Sequence, residues 1–143
     1  MSKILNYVGY AAFAMALIAT LSSLYLSEIL HWTPCVLCWY QRILMYPLVA
    51  IIGVGVARRS DEWPITALIL AGIGWVIALY HSLLQWGVIS ESLAPCVEGV
   101  SCVVKHTAWF GFITIPFLSF VAFTIIIAMS ALAWKGKKND QRI

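Results

Sequence analysis

Four long runs of apolar residues, separated by short polar breaks, organise the 143-residue chain. They cover about 8–27, 36–57, 64–86 and 109–134. A helix must supply roughly 20 apolar residues to cross the hydrocarbon core of a bilayer, and each run is long enough. In lipid every backbone N–H and C=O has to be satisfied within the element itself, so each run predicts a helix and not a strand. The expected fold is an all-α membrane protein, a four-transmembrane-helix bundle forming one domain over 1–143. The first run also admits a signal-peptide reading, because Lys3 precedes an alanine-rich apolar stretch. Three further spans anchor the chain under either reading.

The polar breaks orient the bundle. Lys3, Arg58, Arg59, Lys135, Lys137, Lys138 and Arg142 fall on one side, seven of the nine basic residues. Lysine and arginine accumulate on the cytoplasmic side, so both termini are expected there. The segments at about 28–35 and 87–108 then become outer loops, with only Lys105 and Arg42 on their side. Trp32, Trp39, Trp63, Trp86, Trp109 and Trp134 fall at span ends, as an interfacial aromatic belt requires. Trp75 lies mid-span. Gly53, Gly55, Gly72 and Gly74 are small enough for close helix approach. Pro47 and Pro116 sit inside spans and are expected to kink them.

Composition agrees with the pattern. The chain is 62% hydrophobic and 10% charged, whereas soluble domains are near half apolar and a quarter charged. A net charge of +3 is too small and too scattered for a nucleic-acid surface. No nucleic-acid partner is expected.

All four cysteines, Cys35, Cys38, Cys96 and Cys102, fall on the outer side, where disulfides persist. Three pairings are open, and sequence proximity favours Cys35–Cys38 and Cys96–Cys102. The first pair reads Cys35-Val36-Leu37-Cys38 at the head of span two. A loop that small constrains the unfolded chain little, so its disulfide is a poor staple. The helix N-terminus also favours a thiolate. The pair reads as a redox dithiol or as half of a tetrahedral zinc site. The second pair follows Pro95 and encloses Gly99; it reads as a structural disulfide or as a second exchangeable pair.

Two polar residues stand where apolar ones are expected. Arg42 follows Cys38 by four residues, which puts both on one helix face. It is either an arginine snorkelling to the headgroups or a cation held beside the dithiol, able to meet an anionic ligand. His81 lies 17 residues after Pro64, about 25 Å along the helix, at the depth of Cys38 and Arg42. Gln85 is on the same face. His81 reads as an interfacial histidine or as a hydrogen-bond donor to a bound ligand. His31 and His106 fall in loops and read as solvated. No metal centre, serine triad or phosphate loop is expected.

The run Cys35-Val36-Leu37-Cys38-Trp39-Tyr40-Gln41-Arg42 closely resembles the DsbB family of bacterial disulfide-generating membrane proteins. So do the four spans, the second outer cysteine pair and His81-Ser82-Leu83-Leu84-Gln85. The short spacing of the second pair is similar to the BdbC branch of Gram-positive bacteria. The resemblance implies a quinone-dependent thiol oxidase in the bacterial cytoplasmic membrane, with menaquinone or ubiquinone as cofactor. Its partner would be a DsbA- or BdbD-like thioredoxin-fold oxidase. That partner would attack the Cys96–Cys102 disulfide at Cys96, and Cys102 would help resolve the mixed disulfide. Electrons would pass to Cys35–Cys38, with the Cys38 thiolate facing the quinone and Arg42 and His81 binding its ring oxygens. Two other readings compete: a quinone enzyme of the vitamin K epoxide reductase type, and a zinc- or disulfide-stapled membrane scaffold without catalysis.

Overall fold

Four helices build the computed structural model, which describes residues 2–90, 92, 101–103 and 113–142. They are α1 (Ser2–Glu28), α2 (Val36–Ala57), α3 (Trp63–Gln85) and α4 (Ile115–Asp140). Each contains a stretch long and apolar enough to cross a membrane. The chain is an all-α, multi-pass membrane protein. Helix α3 packs on α2 and α4, and α1 closes the ring by packing on the same two neighbours.

Size is sorted across the bundle in the sense lipid demands. Ala12, Ala16, Ala67, Ala71, Ala78 and Ala133 point inward, whereas Ile18, Ile43, Ile69, Val76, Leu118 and Leu132 point outward. Lipid tails are as apolar as leucine, so nothing drives large side chains inside, and small ones let backbones close up. The larger interior groups fill the gaps this leaves: Phe123 lies over Gly74, and Trp63 over Gly55. Trp63 is therefore a core residue, 5% exposed, and not part of an interfacial belt. Trp75, the mid-span tryptophan, donates to Thr124 Oγ1 at 3.0 Å and packs against the Phe120 ring in a tilted arrangement. Trp109 lies outside the described residues.

The two prolines behave differently. Pro47 is interior to α2, but Pro116 occupies the first turn of α4. Its missing N–H costs nothing there, so it starts the helix and does not kink it. Helices α1 and α4 also run beyond their apolar stretches, to Ser2 and Asp140. Lys137 and Lys138 sit in the last turn of α4, where the helix dipole favours cations. Lys137 Nζ donates to the Ser60 carbonyl and pairs with Asp61 at 3.1 Å. That clamps the end of α4 to the α2–α3 turn, which closes with Arg59 in the left-handed region (φ 53°) and Ser60 N–H on the Gly55 carbonyl. The seven basic residues gather at this end. Cys35, Cys38 and Cys102 lie at the other.

Candidate active site

The site starts at the head of α2. Cys35 is the N-cap residue, and its Sγ accepts from Cys38 N–H at 3.4 Å. A cap has extended backbone (ψ 171° here), which turns its side chain back over the exposed N–H groups of the first turn. Placing the second cysteine three residues on brings the two sulfurs to 3.2 Å. Both are free thiols: Cys35 is buried and Cys38 half-buried. The Cys38 thiol, donating to Cys35, pulls the Cys35 pKa down from the ordinary thiol range to about 4. Burial opposes that shift, and the hydrogen bond from His81 adds to it.

His81 arrives from α3 with no exposed surface. Its Nε2 lies 3.7 Å from Cys35 Sγ and 3.2 Å from the Cys102 carbonyl oxygen. Its Nδ1 lies 3.0 Å from Gln41 Nε2. These contacts select one tautomer. A carbonyl can only accept, so Nε2 carries the proton. Nδ1 of the neutral ring is then an acceptor, and the Gln41 amide donates to it. Gln85, one turn beyond His81, donates to the same Cys102 carbonyl at 3.1 Å. Cys102 is 2% exposed and disulfide-bonded. Cys96, expected as its partner, lies outside the described residues. The backbone of the loop cysteine is thus pinned beside the sulfur of the helix cysteine.

A cavity of about 300 Å³ opens against this cluster between α1, α2 and α4. Its wall is mostly apolar, with Met15, Ile18, Leu26 and Phe123 among the lining side chains. Cys35, Cys38 and Arg42 line it too. Arg42 donates from Nη2 to the Ser23 carbonyl at 3.1 Å and stands 5.6 Å from the Trp39 ring centroid. It spans from α2 to α1 and is held as well as charged. Three further lining groups, Tyr46 Oη, Gln85 Oε1 and Thr114 Oγ1, are buried with no hydrogen-bond partner among the described residues.

The structure therefore brings together Cys35, Cys38, Cys102, Arg42 and His81, with His81 beneath Cys35 and outside the cavity wall. Gln85, placed by sequence on the face of His81, belongs to the cluster, and so does Gln41, to which the sequence assigns no role. Their signals are slight: a glutamine in the first turns of an apolar span, and one a helical turn after the histidine.

Comparison with known proteins converges on one family. The family model described as "Disulfide bond formation protein DsbB" matches residues 6–133. The chain is 47% identical over 131 residues to "Disulfide bond formation protein C" of Bacillus subtilis, covering 92% of this chain and 94% of that one. It is 42% identical over 137 residues to "Probable disulfide formation protein C" of Halalkalibacterium halodurans, covering 96% and 100%. A third relative, "Probable disulfide formation protein C 1" of Bacillus anthracis, is 40% identical over 132 residues, covering 92% and 95%. No solved structure matches the chain.

Proposed function

The chain belongs to the DsbB family of disulfide bond formation proteins and is a thiol-oxidising oxidoreductase, and we propose that it carries electrons from an exported thioredoxin-fold dithiol protein to a membrane quinone. The observation that carries this reading is the stacking of three things at one end of the bundle. These are a disulfide-bonded loop cysteine, a free dithiol whose sulfurs lie 3.2 Å apart against a buried histidine, and a mostly apolar cavity lined by Arg42.

The thiol chemistry follows from the contacts. A thiolate of the partner attacks Cys96, the Cys96–Cys102 bond breaks, and Cys102 leaves as thiolate. The partner's second thiol then displaces Cys96, so the partner departs oxidised and the loop pair stays reduced. Exchange needs an attacking thiolate with access to the target sulfur. Cys102 packs with Cys35, so its thiolate attacks Cys35 of a Cys35–Cys38 disulfide and displaces Cys38. Cys96 then displaces Cys35, which re-forms the loop disulfide and leaves the helix pair reduced beside the cavity. His81, bonded to Gln41 and to the Cys102 backbone, holds Cys35 in place and donates towards it.

The cavity residues fit a quinone headgroup. The volume suits a small ring with an apolar tail leading into lipid. The unpartnered Tyr46 and Thr114 hydroxyls can donate to carbonyl oxygens, and Gln85 Oε1 can accept from the hydroxyl of the reduced ring. When bound, the quinone supplies a two-electron, two-proton acceptor. Arg42 lines the same cavity and would stabilise negative charge on a ring oxygen. His81 acts through Cys35 and not on the ring. The basic end lies in the cytoplasm and the cysteine end outside the bacterial cytoplasmic membrane, where the exported partner is met.

The test combines purified chain in detergent, a reduced DsbA-like protein and a soluble quinone, with quinone absorbance followed over time. Quinone reduction matched to partner oxidation, and lost in Cys38→Ser, is the expected result. A folded chain that reduces no quinone from either the partner or a chemical dithiol would leave the stapled scaffold as the better reading.

A further inference from the structure

We propose that the reduced chain binds a thiophilic metal cation, Zn2+ foremost, on Cys35, Cys38 and His81, and that the cation caps the dithiol. One donor atom from each of these residues lies within 4.8 Å of the others. In a tetrahedral zinc site with Zn–S about 2.3 Å and Zn–N about 2.05 Å, the sulfur-to-nitrogen edge is about 3.6 Å. Cys35 Sγ and His81 Nε2 already stand 3.7 Å apart. The sulfur-to-sulfur edge of the same tetrahedron is about 3.8 Å. The two sulfurs, at 3.2 Å, need only a small separation to reach it. Two thiolates and an imidazole form a soft donor set that prefers zinc to calcium or magnesium.

Charge and hydrogen bonding favour the same outcome. Any thiol proton still held is released to solvent, no electron moves, and two thiolates with Zn2+ and neutral imidazole carry no net charge. Arg42, tied to the Ser23 carbonyl, meets no like charge there. His81 must present a lone pair at Nε2, which moves its proton to Nδ1. Gln41 is in place to receive it: rotation of its amide turns Oε1 to the ring, the carbonyl partner that metal-bound histidines ordinarily have. The Cys102 carbonyl gives up His81 but keeps Gln85. The fourth position falls to a water in the cavity that Cys35 and Cys38 line. A Cys35–Cys38 disulfide has no thiolate to offer, so binding is gated by redox state.

Binding requires neither partner nor quinone; only its inhibitory consequence rests on the oxidase reading. The experiment uses full-length chain carrying Cys96→Ser and Cys102→Ser, which removes the loop thiols. Zn2+ is counted by elemental analysis, and Co2+ gives the spectrum. One equivalent bound by the reduced chain and none by the oxidised chain is expected. Co2+ should show thiolate-to-metal charge transfer and tetrahedral bands. Affinity should fall at least 10-fold in His81→Ala and in Gln41→Ala, the range for losing a ligand or its supporting bond. Equal binding by reduced and oxidised chain, a cobalt spectrum without charge transfer, or Gln41→Ala and a folded His81→Ala binding as tightly as the parent would overturn the site. Loss of quinone reduction in the preceding assay would leave this binding result unaffected.

Discussion

At the scale of single residues, the site works by holding one sulfur as an acceptor. Cys35 accepts from the Cys38 backbone N–H, lies 3.2 Å from the Cys38 sulfur, whose hydrogen bond lowers its pKa, and packs against His81. With its pKa lowered to about 4, Cys35 is predominantly thiolate at neutral pH. Alkylation of Cys35 in the reduced chain by iodoacetamide should therefore keep a constant rate from pH 8 to 6. It should fall only as pH approaches 4, because the thiolate is the nucleophile. In Cys38→Ala the principal donor is gone and the midpoint should move up towards the ordinary thiol range; mass spectrometry of the alkylated peptide reads both. Arg42 tests separately. Truncating a charged hydrogen-bond partner costs about 1.5–3 kcal/mol, so Arg42→Ala should raise the KM for quinone roughly 10- to 100-fold. Arg42→Lys should recover part of that, and an unchanged KM would remove Arg42 from the ligand's surroundings. The cysteines and Arg42 are legible in sequence because one helical turn relates them. The orientation of His81 is not, since the rotation of α3 about its axis is set by packing that only the folded bundle shows. Gln41 escapes notice for the same reason, its partner being 40 residues away.

At the scale of elements, each helix is readable because bilayer thickness imposes a length on any apolar run. Helix ends are less readable. Ser2–Tyr7 and Lys135–Asp140 are helical although they fall outside the apolar runs, since polar residues continue a helix readily once outside the hydrocarbon. The contacts that set helix spacing carry a sharper prediction. A side chain at Gly74 would run into the Phe123 ring, whereas one at Gly72 meets nothing within 4 Å. Gly74→Leu should overpack the α3–α4 interface at a cost of about 1–3 kcal/mol and lower the Tm in detergent. Gly72→Leu should leave the Tm unchanged or raise it slightly, because leucine is the better helix former. Equal destabilisation by both would mean that Gly74 does not set the α3–α4 spacing. The two glycines are indistinguishable by sequence; one faces phenylalanine and the other faces away from the bundle.

At the scale of the whole molecule, the two ends differ in charge and chemistry. Seven basic residues and the Lys137–Asp61 clamp mark one end, and the cysteines mark the other. In intact cells an impermeant maleimide should label Ser90→Cys and leave Asn139→Cys untouched, with the labelling reversed if the basic end faces outward. The Cys102 carbonyl, anchored by His81 and Gln85 at the cysteine end, has a kinetic consequence. A sulfur held this way meets its target at a local concentration that dilution of the protein cannot lower. Exchange between the two cysteine pairs should then be first order, with a rate independent of how much chain is present. Sensitivity to concentration would rest with the encounters at either end, with the proposed dithiol partner and with the proposed electron acceptor. A cell could thus set the pace of disulfide production through the supply of that partner, without altering the membrane protein.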